Sequence, residues 1–314
     1  MFRLRLAFVF RILPFLLISS AAGCSRGVSQ VAAAPAPLSL EFVGQWGVHG
    51  QAPGQLDQPI ALAVDTVGRV YFADRGTGSV QKFTISGVPL LTFEDSAIRG
   101  AAGIAVDDGG AIYVADARAG QIRIFFPEGD LLRVIRIAPQ RQFEGPFIFS
   151  TGADGEIFVP DPAAGRIQVL TPRGEIKRTW SVSSGSAAAR AHPVAAVAGP
   201  DGFVYVGDAL SGRIFKFNAG GERIAVWNDS ASVGRSWGLA VTEDHLFVLR
   251  GGSPHLEIWT LDGRQESTDD LGGRLGTQPD AAASLALAPG GELLVMDAAT
   301  PRVLRFRIHL GEDR

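Results

Sequence analysis

The chain has 314 residues, 46% hydrophobic and 19% charged, with 39 glycines and 18 prolines. That balance excludes a disordered chain, a collagen and a charge-driven nucleic-acid arm, because there is ample apolar surface to bury and frequent turn formers to interrupt it. A net charge of -3 gives no overall attraction to polyphosphate, and a single cysteine excludes an internal disulfide framework and any Cys-based zinc site.

At the start of the chain Arg3, Arg5 and Arg11 flank an apolar run, Ile12 to Ile18, that gives way to small residues from Ser19 to Gly23. Residues 1–23 thus have the layout of a secretory signal peptide, and Arg11 leaves the run short of the roughly 20 apolar residues a membrane span needs. Ala21-Ala22-Gly23-Cys24 resembles a bacterial lipobox, with Ala21 where leucine is usual. The resemblance implies that Cys24 is lipidated as the first mature residue, and Ser25 after it points to the outer membrane, facing the periplasm or the cell surface. Residues 24–37 are then the lipidated cysteine and a flexible tether, since Ser, Ala, Gly and Pro dominate and hardly a large side chain is present.

From residue 38 to about 310 one phrase recurs: Val70-Tyr71-Phe72-Ala73-Asp74, Ile112-Tyr113-Val114-Ala115-Asp116, Ile157-Phe158-Val159-Pro160-Asp161, Val204-Tyr205-Val206-Gly207-Asp208 and Leu294-Val295-Met296-Asp297. A sixth copy, Leu246-Phe247-Val248-Leu249-Arg250, keeps the apolar pattern and puts arginine at the aspartate position. The anchors 74, 116, 161, 208, 250 and 297 set a period of forty-odd residues, the mark of a repeat architecture. Within each copy a short apolar run such as Ile60 to Val64 leads through a glycine turn to the recurring phrase. A loop of small residues, an alternating third strand such as Arg213 to Phe217, a second glycine turn and a more polar fourth strand follow. Four antiparallel strands per copy without helical periodicity predict a β-propeller blade.

The phrase Pro-x-x-[Leu/Ile]-Ala-Val-Asp-x-x-Gly-x-[Val/Ile]-Tyr-[Phe/Val]-Ala-Asp, ending in [Val/Ile]-x-[Lys/Arg]-[Phe/Ile], resembles the NHL repeat, best in the first two copies and least in the fifth. The resemblance implies an all-β, six-bladed propeller over residues 38–310, followed by a tail at 311–314. The sixth copy runs out after its third strand, so its outer strand is expected to be Leu38 to Trp46, joining the two ends of the chain and removing a free sheet edge.

Asp74, Asp116, Asp161, Asp208 and Asp297 each end a second strand where a loop begins, and a short carboxylate there accepts hydrogen bonds from loop backbone NH groups. Arg166, Arg213 and Arg302, five residues after their aspartates, are expected to close the same loops. The large aromatics are read as filling between blades, with Trp46, Trp180 and Trp227 on outer strands as secondary candidates for partner contact. There is no G-x-S-x-G elbow, H-E-x-x-H pair, phosphate loop or cysteine nucleophile. Some propeller lyases and lactonases hold a divalent metal at the channel mouth, and the residues placed to do so here are Glu144, His192 and Asp280. Such a metal belongs only to that alternative; the leading expectation is no cofactor.

A different pattern is more distinctive. Connections between blades carry Arg99, Arg141, Arg190, Arg235 and Arg274, with His49 in the sixth, and the loops after second strands add Arg75, Arg118 and Arg250 to the same face. A basic face of this kind suits an acidic polymer or an acidic patch on an envelope protein. The expected function is therefore a non-catalytic, lipid-anchored, monomeric scaffold with no nucleic-acid role, and the alternative is a metal-dependent lyase or lactonase in the channel.

Overall fold

A computed structural model describes residues 38–116, 119–137, 147–152, 154–182, 191–227, 237–250, 255–271, 274–275 and 282–309. The tight turns leave each strand no option but to return beside its predecessor, and six sheets of four antiparallel strands result. Blade I comprises Pro59–Val64, Val70–Asp74, Ser79–Phe83 and Pro89–Glu94. Blade II comprises Ala101–Val106, Ile112–Asp116, Gln121–Phe125 and Leu131–Arg136. Blade III comprises Ser150–Thr151, Ile157–Asp161, Arg166–Leu170 and Ile176–Ser181. Blade IV comprises Pro193–Ala198, Phe203–Asp208, Ile214–Asn218 and Arg223–Trp227. Blade V comprises Trp237–Val241, His245–Arg250, His255–Thr260 and Gln265–Asp270. Blade VI comprises Ala282–Ala288, Glu292–Asp297 and Arg302–His309, completed by Ser39–Trp46 from the other end of the fold. The ring closes as the strand count required, with Ser39 opposite His309 and Trp46 opposite Val303.

Because each sheet alternates its side chains between two faces, every blade has an apolar surface for each neighbour, and the core divides into six wedges. Tyr71 joins Ile104, Ile112 and Phe125 between blades I and II, and Tyr205 joins Leu239, Val248 and Trp259 between IV and V. Phe72 and Phe83 meet Leu294, Met296 and Val303 across the closure. Outer-strand aromatics seal the wedges from outside. Trp180 lies over Gly221, whose φ of +89° sets the turn and where a Cβ would stand 2.6 Å from the indole. The same seat pairs Trp227 with Gly263 and, across the closure, Trp46 with Gly87. The three tryptophans that were secondary candidates for partner contact are thus used within the ring, Trp180 and Trp227 being buried.

Blade III departs from the rule. Its inner strand pairs with its own sheet over Ser150–Thr151 only, and the preceding backbone bonds sideways. Phe147 N donates to Ala102 O at 2.9 Å, Ile148 N to Val194 O at 2.9 Å, and Ala196 N returns to Ile148 O at 2.8 Å. This pulls Phe147 and Phe149 into the wall of the central channel.

Candidate functional site

The ring has two unlike faces. On the loop face lie the loops after second strands and the connections between blades; on the turn face lie the turns between first and second and between third and outer strands. The repeated aspartates organise the loop face. Asp74 Oδ2 accepts from Asp57 N at 2.7 Å, while Oδ1 accepts from Gln58 N and Gly76 N, both at 2.9 Å. One carboxylate therefore ties the loop after its strand to the segment that leads into its own blade. Asp208 repeats this, accepting from His192 N and Leu210 N, with Ser211 Oγ on its other oxygen. Asp116 accepts from Ala119 N, Asp161 from Ala164 N and Asp297 from Ala299 N and Thr300 N. Arg166 and Arg302 donate to Asp161 and Asp297 at 2.8 and 3.1 Å, whereas at Asp208 Ser211 stands where Arg213 was expected.

The cations of this face have local partners too. Arg99 donates to Gly76 O and Thr77 O at 2.9 and 3.2 Å, and Arg75 to Ala101 O, so blades I and II are laced together by both. The Arg274 guanidinium sits 4.8 Å from the Phe42 ring centre and stays exposed. His49 is exposed, with Nδ1 3.4 Å from Leu56 O. Arg118, Arg141, Arg190 and Arg235 lie outside the described residues, as do Cys24, Glu144 and Asp280.

Arg250 does not belong to the basic face. It is 1% exposed, donates to Glu257 through Nε at 2.7 Å and Nη2 at 3.0 Å, and reaches Gly212 O of blade IV through Nη1 at 3.1 Å. Trp259 Nε1 donates to the same carboxylate at 3.0 Å. A buried charge survives only with such a partner, so blade V has exchanged the repeated loop-closing acid for a buried ion pair.

A second constellation went unread in the sequence. Tyr71, Tyr113 and Tyr205 donate to Asp65, Asp107 and Asp201 at 2.9, 2.8 and 2.6 Å on the turn face. Burial, and then the adjacent carboxylate, raise all three phenol pKa values. Burial acts first on Asp65 too, pushing its carboxyl up, but bonds from the Arg69 backbone, the Arg69 guanidinium and Tyr71 outweigh it and hold the pKa below the ordinary value. Lys82 and Lys216 lie 5.2 Å from the Tyr71 and Tyr205 ring centres and donate to Pro127 O and Leu261 O of the next blade at 3.0 Å. The third lysine, Lys177, pairs with Glu156 beside Arg178. All three lysines of the chain thus serve the turn face, and the signal was available: an acid in the turn of each copy that keeps tyrosine.

Between the inner strands lies a cavity of about 430 Å³, whose lining residues are mostly Ala, Val, Leu, Ile and Phe with Ser150, Thr151 and Ser284; among the described residues Asp108 is its one ionisable lining side chain. Among the described residues no three His, Cys, Asp or Glu side chains converge as metal ligands. His192 is exposed and is fixed through its backbone NH to Asp208.

The model of the NHL repeat matches residues 99–125, which run from the connection into blade II to the end of its third strand. No curated protein matches the chain. Among solved structures the ring is similar to a streptogramin B lyase, at 14% identity and a TM-score of 0.63, covering 87% of this chain and 98% of that one. Virginiamycin B lyase from Staphylococcus aureus is similar at 13% identity and a TM-score of 0.60, covering 87% and 88%. Raptor from Chaetomium thermophilum is similar at 12% identity and a TM-score of 0.58, covering 85% of this chain and 29% of that one. Likeness at such identities is likeness of fold alone. The chain is a six-bladed β-propeller with an NHL repeat at residues 99–125.

Proposed function

We propose that the chain is a non-catalytic binding propeller of the bacterial cell envelope, tethered through lipidated Cys24 at the outer membrane, and that its loop face takes an envelope protein or an acidic polymer. The observation that carries this reading is the use made of the repeated carboxylates. All five accept hydrogen bonds from the loops around them, so the acids that recur around the face act as a frame for loops. A frame of this kind presents loops at little ordering cost, and that favours binding. Arg99 and Arg274 are exposed on it, and cations placed there favour carboxylates on a partner. The test is binding of the purified chain to immobilised polyglutamate and to envelope fractions. Changing Arg99, Arg141, Arg190, Arg235 and Arg274 to Glu is expected to abolish salt-sensitive retention; retention equal to that of the parent chain would refute a basic binding face.

The competing reading is a metal-dependent lyase or lactonase, favoured by the ring's likeness to streptogramin B lyase. It calls for Glu144, His192 and Asp280 as ligands and is separated from the first by metal content.

A further inference from the structure

Each blade ends on an outer strand with one free edge, and these edges are not alike. Blade II ends on Leu131-Leu132-Arg133-Val134-Ile135-Arg136, a strand with two cations, no acid and exposed Leu131, Leu132 and Val134. Blade V ends on Gln265-Glu266-Ser267-Thr268-Asp269-Asp270, with three acids and no large apolar side chain. Three of the other edges are neutralised or blunted. Lys177 and Arg178 of blade III pair with Glu156, Glu41 of blade VI pairs with Arg307 and His309, and blade I opens its outer strand with Pro89. Sheets guard their edges in such ways, and an unguarded apolar edge is a template for another strand.

Backbone direction settles what the two edges offer. Ile137 N donates inward to Gly120 O at 2.9 Å, so Ile135 and Arg133 also face their own sheet, while Val134 and Arg136 turn NH and C=O outward. Leu256 opposite Asp269 repeats the register of Ile122 opposite Ile135, so Thr268 and Asp270 turn outward in blade V. An antiparallel pairing that sets Val134 opposite Thr268 therefore makes ladder hydrogen bonds, and it brings Arg133 opposite Asp269 and Arg136 opposite Glu266. Among the described residues no acid lies within ion-pair distance of Arg133 or Arg136 and no cation within that distance of Asp269, while Glu266 already meets His245 and Arg264. Arg133 also donates to Pro172 O at 3.2 Å. Like edges do not match: blade V against blade V sets acid against acid, and blade II against blade II leaves its arginines without an acid.

Blades II and V stand three positions apart on a ring of six, so their edges cannot meet within one chain. We propose that the chain self-associates head to tail, the outer strand of blade II in one copy pairing with the outer strand of blade V in the next. Because the two edges lie on opposite sides of the ring, the contact is heterologous and leaves a free edge at each end, so copies add in a row. The monomer expected from the sequence is then the dilute or high-salt form. The rim makes this contact, which does not depend on what the loop face binds.

Sedimentation velocity of the full chain tests the assignment. The parent is expected to form species larger than a monomer that grow with concentration and shrink as salt rises from about 0.05 to about 0.5 M. Arg133→Glu with Arg136→Glu, and separately Glu266→Lys with Asp269→Lys, should each weaken association at least about tenfold. An equimolar mixture of the two should associate again, because one variant then carries two acidic edges and the other two basic ones; association driven by residues 1–37 would not follow this pattern. If either reversal loses its cooperative melt, Val134→Pro takes its place and should give monomers, since the Val134 NH faces outward and its loss takes no hydrogen bond from the blade. The assignment is overturned if the parent stays monomeric, if its association ignores salt, if the reversed or proline variants associate like the parent, or if the two folded reversal variants stay separate when mixed.

Discussion

Nε of Arg250 donates to Oε1 of Glu257 at 2.7 Å in a position where blade III holds Asp161 and Gln168, whose own contact is 3.2 Å long. The two pairs occupy the same register of second and third strands, Val248 opposite Glu257 and Val159 opposite Gln168. Blade V has moved the acid across the hairpin and put its counter-charge where the acid stood. Removing one member of a buried pair leaves the other without compensation, so Arg250→Met is expected to lower stability by about 3–5 kcal/mol in urea unfolding. The double change Arg250→Asp with Glu257→Gln recreates the blade III pair and should recover at least half of that loss. Recovery of none of it would mean that the bond to Gly212 O, not the pair, is what blade V requires.

Gly221 and Gly202 separate two costs. Both have positive φ, +89° and +78°, but a side chain at Gly202 meets nothing within 4 Å while one at Gly221 meets Trp180. Gly202→Ala should cost about 1 kcal/mol, the backbone penalty alone. Gly221→Ala adds displacement of a buried indole and should cost at least about 1 kcal/mol more. Equal midpoints in parallel denaturation curves would show that the outer aromatic does not seal the wedge.

Acid should loosen the turn face. Bonds from Arg178, and then Lys177, hold the Glu156 carboxyl below its ordinary 4.5 against the opposing effect of burial. A depressed folded-state value means the contribution is complete above the unfolded value and is lost as pH falls through the folded one, which lies lower. Glu156→Gln is therefore expected to lower stability near neutral pH by about 1–2 kcal/mol and to flatten the decline below about pH 4.5. A variant curve parallel to that of the parent throughout would contradict this.

Ring closure rests on Ser39–Trp46, with Trp46 Nε1 bonded to Ile85 O at 2.9 Å and its ring against Phe72 and Phe83. Trp46→Ala should cost about 3–5 kcal/mol, and removal of residues 38–46 should abolish the single cooperative melt. Unchanged thermal unfolding of the shortened chain would show that the ring holds without its clasp.

Much of the fold was legible because its determinants are local. Glycine turns, strand alternation and the recurring aspartate each act within a few residues, and the missing outer strand of the last copy could be found by counting. What stayed hidden depends on partners far along the chain. Arg250 reads as one more loop cation until Glu257 is seen across the hairpin. Lys82 and Lys216 reach carbonyls 45 residues away. The inner segment of blade III bonds to its neighbours rather than to its own sheet, so no repeat pattern announces that Phe147 and Phe149 enter the channel wall.

Metal content bears most directly on the central claim that the ring binds rather than catalyses. Inductively coupled plasma mass spectrometry of the purified full chain is expected to find below about 0.1 equivalent of any divalent ion. About one equivalent of calcium or zinc, lost on Glu144→Gln or His192→Ala, would contradict the account and assign the channel mouth to metal-dependent chemistry.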